Sequence, residues 1–193
     1  TAMAQTAMSA QNAVENNWGE VGHYSTMATV LYLAGFSAQD AKAIALAAWA
    51  PDTDIRNAIT VDNYASGLVG TGYQISEHAL DGEDDPDKVI KLQKQLTGQV
   101  QAILSVIKQY ENDPVKKAVY LSDPNTQRIL HKFGDSFAHV QSDGTHYNSG
   151  NGHLVDGTTP DNPATHQNAY RNYVTALYNA ASSVSGDPRV TGS

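Results

Sequence analysis

The chain has 193 residues, of which 40% are hydrophobic and 17% are charged, a composition typical of one folded domain and not of a disordered tail or a membrane protein. It contains no cysteine, which excludes a disulfide framework, a thiolate zinc finger and a cysteine nucleophile. The net charge of −8 argues against a general electrostatic grip on phosphate backbones, although bound divalent cations would invert the local field.

The first third of the sequence predicts two helices and a long loop. A helix is expected over 18–33, ended by Gly35, a typical C-terminal stop. Ser37 is the predicted N-cap of a second, alanine-rich helix, which Pro51 is expected to stop. Over 51–82 the period is lost and Gly, Asn and Thr accumulate, which indicates a long loop with a functional role.

The rest of the chain predicts further helices and a second loop. Three helices are expected to begin at Asp-Pro pairs, where the acid caps the helix and the proline takes its first position: Asp85-Pro86, Asp113-Pro114 and Asp123-Pro124. A polar, glycine-rich loop is expected over 142–166 and a final helix over about 164–182. With no internal repeat and no strong strand, the predicted fold is all-α, a single-domain multi-helix bundle.

The stretch "HKFGDSFAH" spaces His131, Asp135 and His139 four residues apart. On a helix these positions lie along one face, and imidazole nitrogen with carboxylate oxygen is a ligand set that suits Zn²⁺. A solvated polar face is the alternative interpretation, but the apolar residues around the motif leave little room for one: Leu130, Phe133, Phe137 and Val140. The motif therefore predicts metal binding.

Other candidate ligands lie in the predicted loops or near the ends of helices: His23, Asp52, Asp54, His78, His153 and Asp156. None of them is specific alone, because an isolated histidine is usually structural. No Gly-x-Ser-x-Gly motif and no phosphate-binding loop competes with them for the function. His146 and His166 are expected to be neighbours of the site or surface residues.

Two motifs resemble the zinc-dependent phospholipase C and S1/P1 nuclease family. "WGEVGH", residues 18–23, is similar to the Trp-Gly-x-x-Gly-His start of the mature nucleases. "HKFGDSFAH" is similar to the family's H-x-x-G-D motif with its following histidine. The resemblance covers residues 18–156 in ligand order. It implies an all-helical fold, two or three zinc ions and cleavage of phosphodiesters by metal-activated water.

The resemblance also implies a grouping of the ligands. The first zinc ion would be held by His23 and the main chain of Trp18. The second would be held by Asp52, His78, His131 and Asp135, with Asp135 bridging. The third would be held by His139, His153 and Asp156. Catalysis would then depend most directly on Asp135 and His131.

Three features depart from the family pattern. The step from Asp135 to His139 is shorter than usual, which predicts a displaced third site. The step from His153 to the next acid is also one residue short. Two pairs of acids therefore remain alternatives for one ligand position each: Asp52 or Asp54, and Asp156 or Asp161. The third departure is that the family's tryptophan is N-terminal and binds zinc through its free amine, whereas seventeen residues precede Trp18.

Those preceding residues carry a second resemblance. "AQNAVENNW" is similar to the Val-Glu-Asn-Asn junction before the toxin domains of contact-dependent growth inhibition proteins. It implies a pretoxin junction over 1–17, a toxin domain over 18–185 and a tail over 186–193. It also implies delivery from a bacterial surface into a neighbouring cell, and a cognate immunity protein. Our hypothesis is that cleavage after Asn17 gives Trp18 the free amine.

Two questions remain open from the sequence. The substrate is nucleic acid or phospholipid; the Trp-Gly-x-x-Gly-His start favours nucleic acid, and the loop tyrosines suit either. The alternative to an enzyme is a non-catalytic helical module for secretion or receptor engagement, with a structural metal site.

Overall fold

The computed structural model describes residues 19–53, 79, 81–147 and 164–186. These residues form one π-helix and six α-helices and contain no strand; an isolated antiparallel bridge joins Val140 and His146. The predicted all-α class is confirmed. Within the same residues, no helix combines the length and the apolar character needed to cross a membrane.

The π-helix comes first along the described part of the chain and the α-helices follow it. The π-helix Gly19–Thr26 leads into α1 (Met27–Leu33), and the remaining helices are α2 (Ala38–Thr53), α3 (Pro86–Gln109), α4 (Pro114–Leu121), α5 (Pro124–Ala138) and α6 (Gln167–Ser185).

The helix starts predicted from Asp-Pro pairs are confirmed. In each case the aspartate side chain accepts a hydrogen bond from a backbone N–H in the first turn, and the proline stands at the first helical position: Asp85 for α3, Asp113 for α4 and Asp123 for α5. Ser37 acts as predicted at the start of α2, where its hydroxyl accepts a hydrogen bond from the Asp40 N–H. α6 begins and ends three residues later than expected.

Pro51 does not stop the second helix, so that prediction is wrong. α2 includes Pro51 and continues to Thr53. A proline removes one intrahelical hydrogen bond, here the bond to the Ala47 carbonyl. Because Pro51 lies in the last turn of α2, only Asp52 and Thr53 follow it in the helix. The additional residues place Asp52 on the helix. Of the predicted long loop, residues 54–78 and 80 lie outside the described residues, as do 148–163 of the later loop.

α5 occupies the centre of the bundle. It packs against α2, α3, α6 and the π-helix. On one side its buried aromatic residues, Phe133 and Phe137, contact each other and Tyr173 of α6, with ring centroids 5.4 to 6.0 Å apart. This packing fixes the orientation of α5, and the helix consequently turns its histidine and aspartate side chains towards α2 and the π-helix.

Candidate metal centre

Four of the predicted ligands meet between the π-helix, α2 and α5. The π-helix contributes His23, the last turn of α2 contributes Asp52, and α5 contributes His131 and Asp135. One ligand atom from each of His23, Asp52 and His131 lies within 4.8 Å of the other two. Both histidines and Asp135 are buried, whereas the Asp52 side chain is 27% exposed and forms the solvent-facing edge.

The carboxylate of Asp135 is shared between the two histidines. Its Oδ1 lies 2.9 Å from Nε2 of His23, and its Oδ2 lies 3.2 Å from Nε2 of His131. The same His131 nitrogen lies 3.5 Å from Oδ1 of Asp52. Nitrogen and oxygen ligands of a tetrahedral zinc ion stand about 3.4 Å apart, given metal–ligand bonds near 2.1 Å. These three distances lie close to that spacing, and the ligand atoms of His23, Asp52 and His131, all within 4.8 Å of one another, would move closer together around an ion.

Two further features of the histidines fit a metal site. Nδ1 of His23 is buried and has no hydrogen-bond partner among the described residues, although buried polar atoms are normally paired. The two imidazole rings lie with their centroids only 4.2 Å apart, tilted by 34°. The two imidazoles and the Asp135 carboxylate therefore form one buried cluster.

The orientation of His131 is set by the main chain of α2. Nδ1 of His131 lies 3.0 Å from the carbonyl oxygen of Ala48, to which it donates a hydrogen bond. A ring proton on Nδ1 leaves Nε2 directed at the carboxylates of Asp52 and Asp135. A ligand histidine whose second nitrogen is held by a backbone carbonyl has this arrangement in many metal sites.

The electrostatics of the site couple the histidines to the acids. Burial disfavours a charged His131, but the carboxylates of Asp135 and Asp52 outweigh burial and raise its pKa from 6.5 to about 9. Burial likewise opposes ionisation of Asp135, yet the charges of His131, His139 and His23 hold its pKa well below the usual value. In the metal-free protein, Asp135 is therefore a carboxylate and His131 carries positive charge at neutral pH.

α6 holds the π-helix against the rest of the site. The buried Tyr173 hydroxyl donates a hydrogen bond to the carbonyl oxygen of Gly22, the residue before His23, over 3.1 Å. The hydroxyls of Tyr170 and Thr26 lie 2.8 Å apart. Burial raises the pKa of Tyr173, so its hydroxyl remains a donor at all ordinary pH values.

The remaining predicted ligands have different outcomes. His139 is buried at the C-cap of α5, but it does not belong to the group formed by His23, Asp52 and His131. The alternative that the motif on α5 is a solvated polar face is wrong, because His131 and Asp135 are both buried. The other candidates lie outside the described residues: Trp18, Asp54, His78, His153, Asp156 and Asp161.

The buried pair formed by His146 and Asp81 was not predicted from the sequence. His146, expected to be a neighbour of the site or a surface residue, is buried, and its Nδ1 lies 2.8 Å from Oδ1 of Asp81. Burial acts to raise the pKa of Asp81, but the hydrogen bond and charge of His146 outweigh it, and the pKa is lowered. No local spacing signals this pair, because 65 positions separate the two residues.

Comparisons with known proteins found no relative of this chain. No family model matches the chain, and no curated protein and no solved structure matches it either.

Proposed function

We propose that the protein is a zinc-dependent phosphodiester hydrolase. The observation that carries this proposal is the shared carboxylate of Asp135, which directs one oxygen to His23 and the other to His131, with Asp52 opposite. These four residues would hold the zinc. A buried carboxylate placed between two histidines would supply negative charge and oxygen ligands to a bound cation.

The chemistry divides between the metal and the chain. Bound zinc supplies Lewis-acid polarisation of a phosphoryl oxygen and activates water as the nucleophile. Asp135 remains ionised because three histidines surround it, so it is ready to bind a cation without first losing a proton. Ala48 fixes the ring of His131 through its carbonyl. Asp52, the exposed member, marks the side from which a substrate phosphate would approach.

The elements that supply His23 and Asp52 bear on the choice of substrate. Residues 19–53 contain a single cationic side chain, Lys42. Their exposed large side chains include Tyr32, Leu33 and Leu46. A polyanionic nucleic acid requires Lys and Arg contacts along its backbone, whereas a phospholipid tolerates an uncharged apolar surface. The scarcity of cationic side chains in residues 19–53 favours a lipid phosphodiester, in contrast to the nuclease-like motif at residues 18–23.

The biological role that we propose is that of an antibacterial toxin domain. Its support is the Val-Glu-Asn-Asn junction in the sequence before residue 18. Delivery from a bacterial surface into a neighbouring cell and a cognate immunity protein follow from that role. Expression of the wild type in a bacterial cytoplasm or periplasm should stop growth, and the Asp135→Ala variant should not. Normal growth with active wild-type enzyme in both compartments would contradict this role.

A structural metal site without catalysis is the second candidate, in a helical module for secretion or receptor engagement. The observation that favours it is burial: both histidines and Asp135 are almost inaccessible, and only Asp52 is partly open. A structural site is typically closed, whereas a catalytic site keeps a position open for water or substrate.

Elemental analysis and activity assays on the same samples distinguish the two candidates. We expect the wild type to contain two to three zinc ions, a number that the resemblance implies, and to cleave bis(p-nitrophenyl) phosphate. It should also cleave DNA, RNA or phosphatidylcholine, assayed side by side. Asp135→Ala should lose both zinc and activity. Asp113→Ala, which removes the cap of α4 and an ion pair with Lys116, should keep both. Zinc without activity would favour the structural site, and no zinc would overturn both candidates.

A further inference from the structure

The carboxyl end of α5 is held by side chains from distant parts of the chain. α5 ends at Ala138, so the Ser136 carbonyl is one of the last four carbonyls of the helix, which lack a regular intrahelical partner. Ser136 is fully buried, and an unpaired carbonyl there would be costly. Its oxygen instead accepts a hydrogen bond from Nε2 of Gln93 over 2.7 Å and faces Nε2 of His146 at 3.2 Å.

The second donor is itself oriented by an acid. Nδ1 of His146 lies 2.8 Å from Oδ1 of Asp81, so both ring nitrogens of His146 face acceptors. The His146 main chain is also fixed, since its N–H donates to the carbonyl of Glu83. Gln93 and His146 thus converge from two segments on one carbonyl, and Asp81 holds the His146 ring from a third; we call these three residues the Ser136 clamp.

At two other helix ends among the described residues, the donors lie close in the sequence. At the ends of α3 and α4 the N–H groups of Tyr110 and Ser122 donate to carbonyls four residues earlier in the chain. The last carbonyl of α4, that of Leu121, also accepts a hydrogen bond from Gln127, six residues away. α5 alone among these three ends uses donors that lie 43 and 10 residues away. It is also the helix that carries His131 and Asp135.

We propose that the Ser136 clamp is a set of positioning residues for the metal centre, an inference that rests on the proposed function. Ser136 follows Asp135 directly, and Gln93 belongs to α3, which packs on α5. The clamp therefore fixes the last turn of α5 both along the helix axis and in its rotation about that axis. The ligands on this helix face α2 and the π-helix. A small rotation of this turn would move the Asp135 oxygens away from His23 and His131.

The test is zinc affinity, measured by competition with a fluorescent chelator on the full chain after metal removal. Gln93→Leu, His146→Gln and Asp81→Asn should each weaken zinc binding about tenfold, the lower end of the loss seen when outer-shell partners of a metal site are removed. Three variants at different segments keep the test valid if one of them fails to fold, which circular dichroism would show.

Gln127→Leu is the matched control. Nε2 of Gln127 donates to the carbonyl of Leu121 over 3.1 Å at the opposite end of α5, so this variant loses the same type of hydrogen bond from an equally half-buried glutamine. It should lower the melting temperature and leave the zinc Kd unchanged. Clamp variants that fold and bind zinc as tightly as the wild type would overturn the clamp alone. A wild type that binds no zinc would overturn the proposed function and the clamp together.

Discussion

At the scale of single residues, His131 shows how the site is stabilised in the metal-free protein. Its ring lies between Asp52 and Asp135 and donates to the Ala48 carbonyl. A proton on this ring neutralises part of the acidic charge, so the metal-free protein places a cation where zinc would bind. Zinc and the proton therefore compete, and zinc binding should tighten as the pH rises.

The metal-free protein should lose stability between about pH 6.5 and 9. Because folding raises the pKa of His131 from 6.5 to about 9, its stabilising contribution is complete below the unfolded value and is lost as the pH rises through the folded value. This pKa shift corresponds to about 3 kcal/mol of unfolding free energy. The melting temperature above pH 9 should therefore be about 6–12 °C lower than at pH 6.5. Calorimetry in the presence of a chelator measures it.

In the acid range, the stability of the metal-free protein should instead rise with increasing pH. Folding lowers the pKa of Asp135, so its contribution is present above the unfolded value of 3.8 and disappears as the pH falls further. The metal-free melting temperature should therefore be highest between about pH 4 and 6.5. In His131→Gln the decline above pH 6.5 should vanish. A wild-type melting temperature that stays constant up to pH 9 would contradict the coupling between His131 and its two acids.

At the scale of helices, α5 is fixed at both ends by different devices. Asp123 caps its start, where one carboxylate oxygen accepts from the Thr126 N–H at 2.9 Å. Asp123→Ala should destabilise the protein by about 1 kcal/mol and lower the melting temperature by about 2–4 °C. Zinc content should not change, because two helical turns separate Asp123 from His131. Asp113→Ala, the equivalent change at α4, is the control, and a loss of zinc in Asp123→Ala alone would contradict this prediction.

Local signals in the sequence were sufficient to predict most helices and two of the four residues of the site, His131 and Asp135. Asp-Pro pairs specify helix starts through contacts within four residues, and the four-residue step from His131 to Asp135 follows from helix geometry. A helix was predicted over 18–33, but no local signal marked its first part, Gly19–Thr26, as π-helical. The contact of this segment with Tyr173 joins residues 151 positions apart and could not be predicted from local spacing either. The meeting of His23 with Asp135 and that of Asp81 with His146 depend likewise on tertiary packing.

At the scale of the whole molecule, Tyr173 connects the last helix to the first ligand. Tyr173→Phe would remove the donor to the buried Gly22 carbonyl and should cost about 1–3 kcal/mol in unfolding free energy. It should also weaken zinc binding, because His23 follows Gly22. Tyr178→Phe, a half-buried tyrosine of the same helix, is the control. Denaturant unfolding and zinc titration measure the two effects, and an unchanged Kd in Tyr173→Phe would show that α6 does not position His23.

Zinc should stabilise the whole fold, because its ligands come from segments separated by up to 112 residues. A ligand that binds only the folded chain at about a thousand times its Kd adds about 4 kcal/mol, which corresponds to an increase of about 8–16 °C in melting temperature. Addition of a chelator should reverse the increase. Asp135→Asn should show neither change, since an amide cannot replace the shared carboxylate. A wild-type melting temperature that is indifferent to both zinc and chelator would mean that the cluster around Asp135 is a buried network of hydrogen bonds and charges. A full shift without phosphodiesterase activity would instead assign the metal to stability alone.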